Sequence, residues 1–468
     1  MENFAARPNA KTVPIVALTS KAYKDWSKRQ AKATQAWLEA TEFKPDAGNV
    51  ALVPGRDGSL ARVVLGLGSG SSARDPNKAT LWAYAALPAK LPKGRYAIDP
   101  ELDAAEANDA ALGWALATYR FDRYLSKSKG FPTLVWPANA DRKAVTRARN
   151  AIFLVRDLIN TPAGDLGPAE LADAAASVAA AYGAEIAVTI GEDLLASNYP
   201  AIHAVGKGSP REPRLIDMHW GDPDAPKLTL VGKGVVFDTG GLDIKTSGGM
   251  KLMKKDMGGA AAVLGLAQMI MDAGLPVRLR VLVPTVENAV SGTAYHPLDV
   301  LQTRKGITVE VGNTDAEGRL ILCDALAEAD SEKPDLLIDF ATLTGAARVA
   351  LGTELPALFS NDDEVANAIL AAGDATVDPL WRMPLFHGYR RQLDSKIADI
   401  NNIANVGTGG AITAALFLHE FVSRKTAWVH VDTMGYNLSA KPGRPAGGEA
   451  LGIRAMFAML AARYTGPA

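Results

Sequence analysis

The sequence predicts an α/β protein with a small N-terminal α/β domain and a larger C-terminal α/β domain, the latter built on a mainly central mixed sheet flanked by helices. Three observations carry that expectation. Short β-branched runs alternate with longer helical patterns almost from end to end, the signature of strands separated by crossover helices. The chain has 468 residues, more than one ordinary core of about 100 to 200 residues accommodates, so two domains are expected. Apolar residues make up 48% and charged residues 22%, which is a globular composition and excludes general disorder.

In the first third the strands are expected at Thr12–Thr19, Asn49–Pro54, Leu60–Leu67, Arg95–Ile98 and Thr133–Trp136. Helices are expected at Lys24–Thr41, Lys78–Lys90 and Ala105–Tyr124, the last with Leu112, Ala115, Leu116 and Tyr119 on one face. A helix over Arg142–Ile159 carries Val145, Ala148, Ile152, Val155 and Ile159 in one stripe and stops at Asn160-Thr161-Pro162, because proline cannot continue it. It reads either as a connector or as an ordinary helix of the first domain. The expected division is an N-terminal domain over 1–150, a connection over 151–165 and a C-terminal domain over 166–468.

The second part reads as strand Leu228–Phe237, a glycine-rich loop, helix Gly258–Ala273, strands Val277–Pro284 and Ile307–Val311, helix Arg319–Asp330 and strand Leu336–Thr342. Helices at Glu364–Ala372, Ala411–Ser423 and near Gly447–Arg463, with a strand at Ala427–Asp432, complete it. The run from Gly66 to Ser71 is neither a dinucleotide fingerprint nor a P-loop and reads as a glycine turn.

Composition narrows the function. Lys and Arg number 50 against 51 Asp and Glu, a net charge of -1, which speaks against dedicated nucleic-acid or anionic-membrane binding. A single cysteine, Cys323, cannot form an internal disulfide or a Cys-rich zinc site and fits a reducing cytoplasm. It falls on a helix stripe with Leu320, Leu326 and Ala327, where a packed, inert thiol is expected. No secretory leader is read at the N-terminus, and no uncharged run is long enough to span a membrane.

Three segments place ionisable side chains at the ends of apolar strands. In Val231-Gly232-Lys233-Gly234 through Asp238-Thr239-Gly240-Gly241, Lys233 lies inside a buried run. An ammonium there needs a carboxylate partner, or must lose its proton to bind a metal or act as a base. In Lys254-Lys255-Asp256-Met257-Gly258-Gly259, Asp256 precedes a helix, so on its own it reads as an N-cap. Lys251, Lys254 and Lys255 read as solvated or steering charges. In Asn313-Thr314-Asp315-Ala316-Glu317-Gly318-Arg319-Leu320, which joins a strand to a helix, Asp315 and Glu317 can converge at a strand's carboxyl end, where open α/β sheets place ligands. Asp238, Asp256, Asp315 and Glu317 supply oxygen donors and Lys233 a possible nitrogen donor. Such a hard set suits a pair of divalent cations, which would neutralise four repelling acids. Competing schemes lack their motifs: no HExxH surrounds the six histidines and no G-x-S-x-G elbow occurs. His419 reads as a helix-face residue and His430 as a satisfied core imidazole.

With these blocks assembled, the sequence resembles the leucyl aminopeptidase (cytosol aminopeptidase) family of two-metal exopeptidases. The octapeptide Asn313–Leu320 reproduces the family signature, backed by the Lys233 and Asp256 blocks, by Asn160-Thr161-Pro162 and by Ala341-Thr342-Leu343-Thr344-Gly345-Ala346. The likeness is strong from about 160 onward and weak before 150, where the family varies. It implies that 166–468 is a catalytic dimetal domain acting on the N-terminal peptide bond of peptides with a free N-terminus. It implies two divalent ions, Zn or Mn, one held by Lys233, Asp238, Asp256 and Glu317 and the other by Asp238, Asp315 and Glu317. It further implies that Lys245 stabilises the developing oxyanion and that Arg319 holds a bicarbonate acting as base toward a metal-bridging water. Met253, Thr342 and Gly345 would line the pocket for the first side chain, and Asn313 and Leu343 would lie near the scissile bond. A cytoplasmic homohexamer is implied as well. Gly312 departs from the family, which carries a bulkier residue there, often Met, and Thr239 stands where Ser is common. A DNA-binding or regulatory role is the alternative reading, unsupported by the charge balance, and a degenerate structural homologue is disfavoured because none of the acids is missing.

Overall fold

The computed structural model describes residues 1–69, 79–127 and 130–466. The chain divides into two compact units, Met1–Phe153 with Ser439–Ala446, and Leu154–Leu438 with Gly447–Ala468. The short segment Ser439–Ala446 thus groups with the N-terminal unit, although the sequence reading places all of 166–468 in one domain.

The first unit holds a six-stranded sheet in the order Phe4–Ala5, Thr133–Val135, Arg95–Ile98, Val13–Leu18, Leu60–Gly66, Val50–Pro54. Its strands are parallel except for the last pair. Its core gathers Ile15, Val63, Leu65, Tyr96, Trp114 and Leu134. The helix expected over Lys24–Thr41 is two helices, Ser20–Lys28 and Lys32–Ala40. A straight helix would set Trp26 and Leu38 about 18 Å apart, whereas the break folds both onto one cluster with Val53 and Val64. Lys78, Gly70 and Ser71 lie outside the described residues, so the start of the Lys78–Lys90 helix and the end of the glycine run are not seen. Residues within the former range form Thr80–Ala85 and Leu87–Lys90.

The second unit is built on a nine-stranded mixed sheet. Four parallel strands form its centre, in the order Trp428–Asp432, Leu336–Ala341, Lys227–Gly232, Arg278–Asn288. Their inward residues are almost all Leu, Ile and Val and fully buried, as expected of strands covered on both faces. Helix Gly258–Ala273 lies against this sheet with an Ala- and Gly-rich surface. A Cβ on Gly259 would stand 2.1 Å from the Phe340 carbonyl oxygen, so the close approach of helix and strand requires glycine. Helix Glu317–Ser331 contributes Leu320, Ile321 and Cys323 to a core shared with Val231, Leu282 and Trp428.

The strand expected over Leu228–Phe237 is interrupted at Lys233. Lys227–Gly232 and Gly234–Asp238 both pair with Arg278–Asn288, and the register runs unbroken past Lys233, Val231 opposite Leu282 and Gly234 opposite Thr285, before shifting between Val235 and Phe237. Between them Lys233 turns its N–H to Phe340 O at 3.0 Å and its carbonyl to Ala260 N at 2.8 Å. Antiparallel strands Arg214–Trp220 and Glu185–Ile190, and helix Pro168–Tyr182, extend the sheet and its cover, in a stretch the sequence reading leaves unassigned. The last helix begins at Ile453, not near Gly447, because Gly447–Gly448 pairs with Tyr436–Asn437. No helix among the described residues is long and apolar enough to cross a membrane.

Candidate metal centre

The parallel strands end at one edge of the large sheet, and each delivers a polar residue there. Lys233 follows Lys227–Gly232, Asp238 closes Gly234–Asp238, Asn288 closes Arg278–Asn288, Thr342 follows Leu336–Ala341 and Asp432 closes Trp428–Asp432. A cavity of ≈ 580 Å³ opens at this edge, and all twelve residues singled out from the sequence border it, among them Met253, Asn313, Leu343 and Gly345. The topology therefore brings together side chains from segments as far apart as Lys233 and Gly345.

Two ammonium groups bridge the four acids. The Nζ of Lys233 lies 2.7 Å from Asp256 Oδ2 and 2.9 Å from Glu317 Oε1, and donates to Thr342 O at 3.2 Å. Lys245 Nζ lies 2.8 Å from Asp238 Oδ2 and pairs also with Asp315. Burial pushes the Lys233 ammonium toward neutrality, but Asp256 and Glu317 outweigh it and hold its pKa above the ordinary value. Lys245 behaves likewise between Asp238 and Asp315. Asp256 is no N-cap: Met257 occupies that position without a side-chain bond, and the Asp256 carboxylate meets Lys233 and accepts from Thr342 Oγ1 at 2.8 Å.

Carboxylate crowding sets the electrostatics. One oxygen from each of Asp238, Asp315 and Glu317 lies within 4.8 Å of the others, while Asp256 joins through Lys233. Burial and the charge of Asp238 push Glu317 up to about 8 and Asp315 up to about 6. Glu317 Oε2 is buried without a hydrogen-bond partner, which a buried carboxylate oxygen rarely tolerates. A divalent cation among these oxygens would satisfy that atom and remove the repulsion that raises both pKa values. The residues present therefore fit a metal. Arg319 is 8% exposed. Burial lowers its pKa to about 10, its Nη1 donates to Asn402 O at 2.5 Å, and its Nε is buried without a partner. That arrangement fits a small oxyanion.

The shell around these groups was not legible in sequence. Asn288 Nδ2 donates to Asp238 Oδ1 at 2.8 Å and to Thr314 O at 3.1 Å, fixing the ligand strand to the signature loop. Tyr295 Oη donates to the same Thr314 carbonyl at 2.7 Å. The Asn402 carboxamide accepts from Gly312 N at 2.8 Å and donates to Asn313 O at 2.8 Å. Asp432 accepts from Leu343 N at 2.9 Å and from Thr344 Oγ1 at 2.6 Å, and so holds the loop that borders the cavity. Asn at a strand end and Tyr in a loop carry no sequence pattern that marks them. Gly312 also finds its reason, since a Cβ there would stand 2.3 Å from Asn401 Oδ1. Lys255 corrects the reading of a solvated charge: it is buried, 7% exposed, and borders the cavity. Lys254 donates to Asn160 O at 2.5 Å. Cys323 is fully buried and donates to Leu320 O, and His430 is a core imidazole 2.5 Å from Asp339 Oδ1, both as expected.

Residues 153–457 match the catalytic domain of the cytosol aminopeptidase family, and residues 13–137 match the M17 aminopeptidase N-terminal domain. Peptidase B of Pectobacterium atrosepticum is 42% identical over 364 residues, 75% of this chain and 84% of that protein. The crystal structure of a cytosol aminopeptidase from Coxiella burnetii is 48% identical and superposes with a TM-score of 0.93, covering 99% of this chain and 100% of that one. The bottromycin maturation enzyme BotP in complex with Mn is 35% identical, with a TM-score of 0.86 over 97% of this chain and 100% of that one. From the signature loop, the fold of both units and these matches, the chain belongs to the M17 cytosol aminopeptidase family and is a leucyl aminopeptidase-like hydrolase.

Proposed function

We propose that the protein is a two-metal aminopeptidase that removes the N-terminal residue of peptides in the cytoplasm. The observation that carries this reading is the convergence of Asp238, Asp315 and Glu317, with Glu317 Oε2 buried and unbonded, at the carboxyl edge of the parallel strands. Lys233, Asp238, Asp256, Asp315 and Glu317 would hold two divalent ions, Zn or Mn, and BotP, which shares the fold, has been solved with Mn. Bound there, the metals would polarise the scissile carbonyl and make a water nucleophilic near neutral pH. Lys233 would have to surrender its proton to become a ligand, so metal affinity should weaken as the pH is lowered.

The chain's own groups do the rest. Lys245 keeps its charge between Asp238 and Asp315, which supports a role in stabilising the oxyanion as it develops. Arg319, with its buried Nε open to an acceptor, would hold bicarbonate as the general base. Met253, Thr342 and Gly345 would shape the pocket for the first side chain, and Asn313 and Leu343 would orient the peptide. We further propose a homohexamer. Trp381, Phe386 and Ile397 stand exposed in the second unit and give such an assembly apolar surface to bury. Cytoplasmic location rests on relatives named as cytosol aminopeptidases and on the single buried cysteine.

Replacing Glu317 by Gln tests the central claim. Hydrolysis of leucyl p-nitroanilide should fall by at least about a thousandfold, the scale of losing a group that acts in the transition state, and metal content should drop below two ions per chain. A variant with normal metal content and full activity would overturn the reading.

A further inference from the structure

Two histidines of the second unit stand ring to ring outside the cavity at the strand ends, and the proposed mechanism uses neither. His387 opens the short 3-10 helix His387–Leu393, and His419 closes helix Gly410–His419. Their ring centres are 5.9 Å apart, with an interplanar angle of 49°. Gly410, at the start of the second helix, borders the catalytic cavity. The rise of that helix places His419 about 14 Å further along its axis.

Nε2 of His419 is buried without a hydrogen-bond partner, a state that a buried polar atom rarely keeps. Among the described residues neither ring makes a hydrogen bond or an ion pair. The His419 ring is held in place by stacking on the fully buried Trp428, their centres 5.2 Å apart and their planes inclined by 18°. His387 is exposed and lines a surface cavity of ≈ 540 Å³ with Arg382, Met383 and Leu385, so an ion can arrive from solvent. The neighbouring acid, Glu420, is taken by Arg390 at 2.6 Å. Burial pushes the His419 pKa below its ordinary value, helped by His387, Arg424 and Lys305 and opposed by Glu420. The ring is therefore neutral near pH 7 and keeps a lone pair to give.

We propose that His387 and His419 form a metal site separate from the centre at the strand ends, taking one Zn or Cu ion between their rings with solvent completing the coordination. An imidazole nitrogen binds Zn at about 2.0–2.1 Å, so two rings that share an ion stand with their centres up to about 6 Å apart. The observed spacing meets that limit. Neutral imidazoles suit Zn and Cu, whereas Mn and Mg prefer oxygen ligands. Arg424 and Lys305 oppose a dication, which makes this the weaker of the two centres. The proposal stands apart from the aminopeptidase reading, since it concerns residues with no part in that chemistry.

The experiment counts ions per chain after equilibrium dialysis of the full-length protein against Zn or against Mn, for wild type and for His387→Ala. Against Zn, wild type should retain one ion more than the variant, and against Mn the two should be equal. Affinity for the extra Zn ion should fall by at least about tenfold in His387→Ala. Because His387 is exposed, the variant should keep its far-ultraviolet dichroism and its hydrolysis of leucyl p-nitroanilide. Cu(II) added to the Zn-loaded protein should give an electron paramagnetic resonance spectrum split by two imidazole nitrogens, a pattern lost in His387→Ala and in His419→Gln. Equal Zn content in wild type and His387→Ala, or a nitrogen pattern that survives both substitutions, overturns the proposal. Neither result bears on the two ions at the strand ends, which both proteins carry alike.

Discussion

A Cβ at position 318 would stand 2.4 Å from Lys233 Cε and 2.7 Å from its Nζ. The buried lysine reaches Asp256 and Glu317 only because the residue after Glu317 has no side chain. Gly318→Ala should therefore push Lys233 away from both acids without touching any of them. Metal affinity, read by titration calorimetry on the stripped protein, should fall by at least about tenfold, while the far-ultraviolet dichroism stays native. Unchanged affinity would mean that Lys233 is not held by this packing. The same steric logic governs Gly312, where Asn401 fills the space that a larger residue would need.

At the scale of elements, the central strands are tied by a buried polar pair as well as by their ladder. His430 of Trp428–Asp432 meets Asp339 of Leu336–Ala341, and Asp339 also accepts from Trp428 Nε1 at 2.8 Å. Burial pushes the imidazole pKa down, but Asp339 outweighs burial and holds it above the ordinary 6.5. The folded chain thus binds this proton more tightly than the unfolded chain does. The pair's contribution is complete below about pH 6.5 and is lost as the pH rises through the folded-state value. Urea unfolding from about pH 6 to about pH 9 should show stability declining more steeply in wild type than in His430→Gln. Equal slopes would show that the imidazole does not gain a proton on folding.

At the scale of the whole molecule, Trp381, Phe386 and Ile397 are exposed and so open to burial between copies. Light scattering of the metal-loaded protein should give about six times the 49.3 kDa chain mass. Substituting Phe386 by Asp should lower that mass if this surface is buried between copies. A monomer in the wild type would refute the hexamer without affecting the chemistry at the strand ends.

The sequence by itself determined the α/β class, most strand and helix positions around the site, and the placing of Asp238, Asp315 and Glu317 at strand ends. Those features are local: hydrophobic period, glycine punctuation and acids at strand ends are written within a few residues of each other. Only the tertiary structure decided which partner each charge takes. It turned Asp256 from a helix cap into a partner of Lys233, and Lys255 from a solvated charge into a buried one. It also recruited Asn288, Asn402 and Asp432 as supports. Those outcomes depend on contacts between segments from about 20 to 90 residues apart, where burial and hydrogen-bond geometry exist only once the sheet has formed.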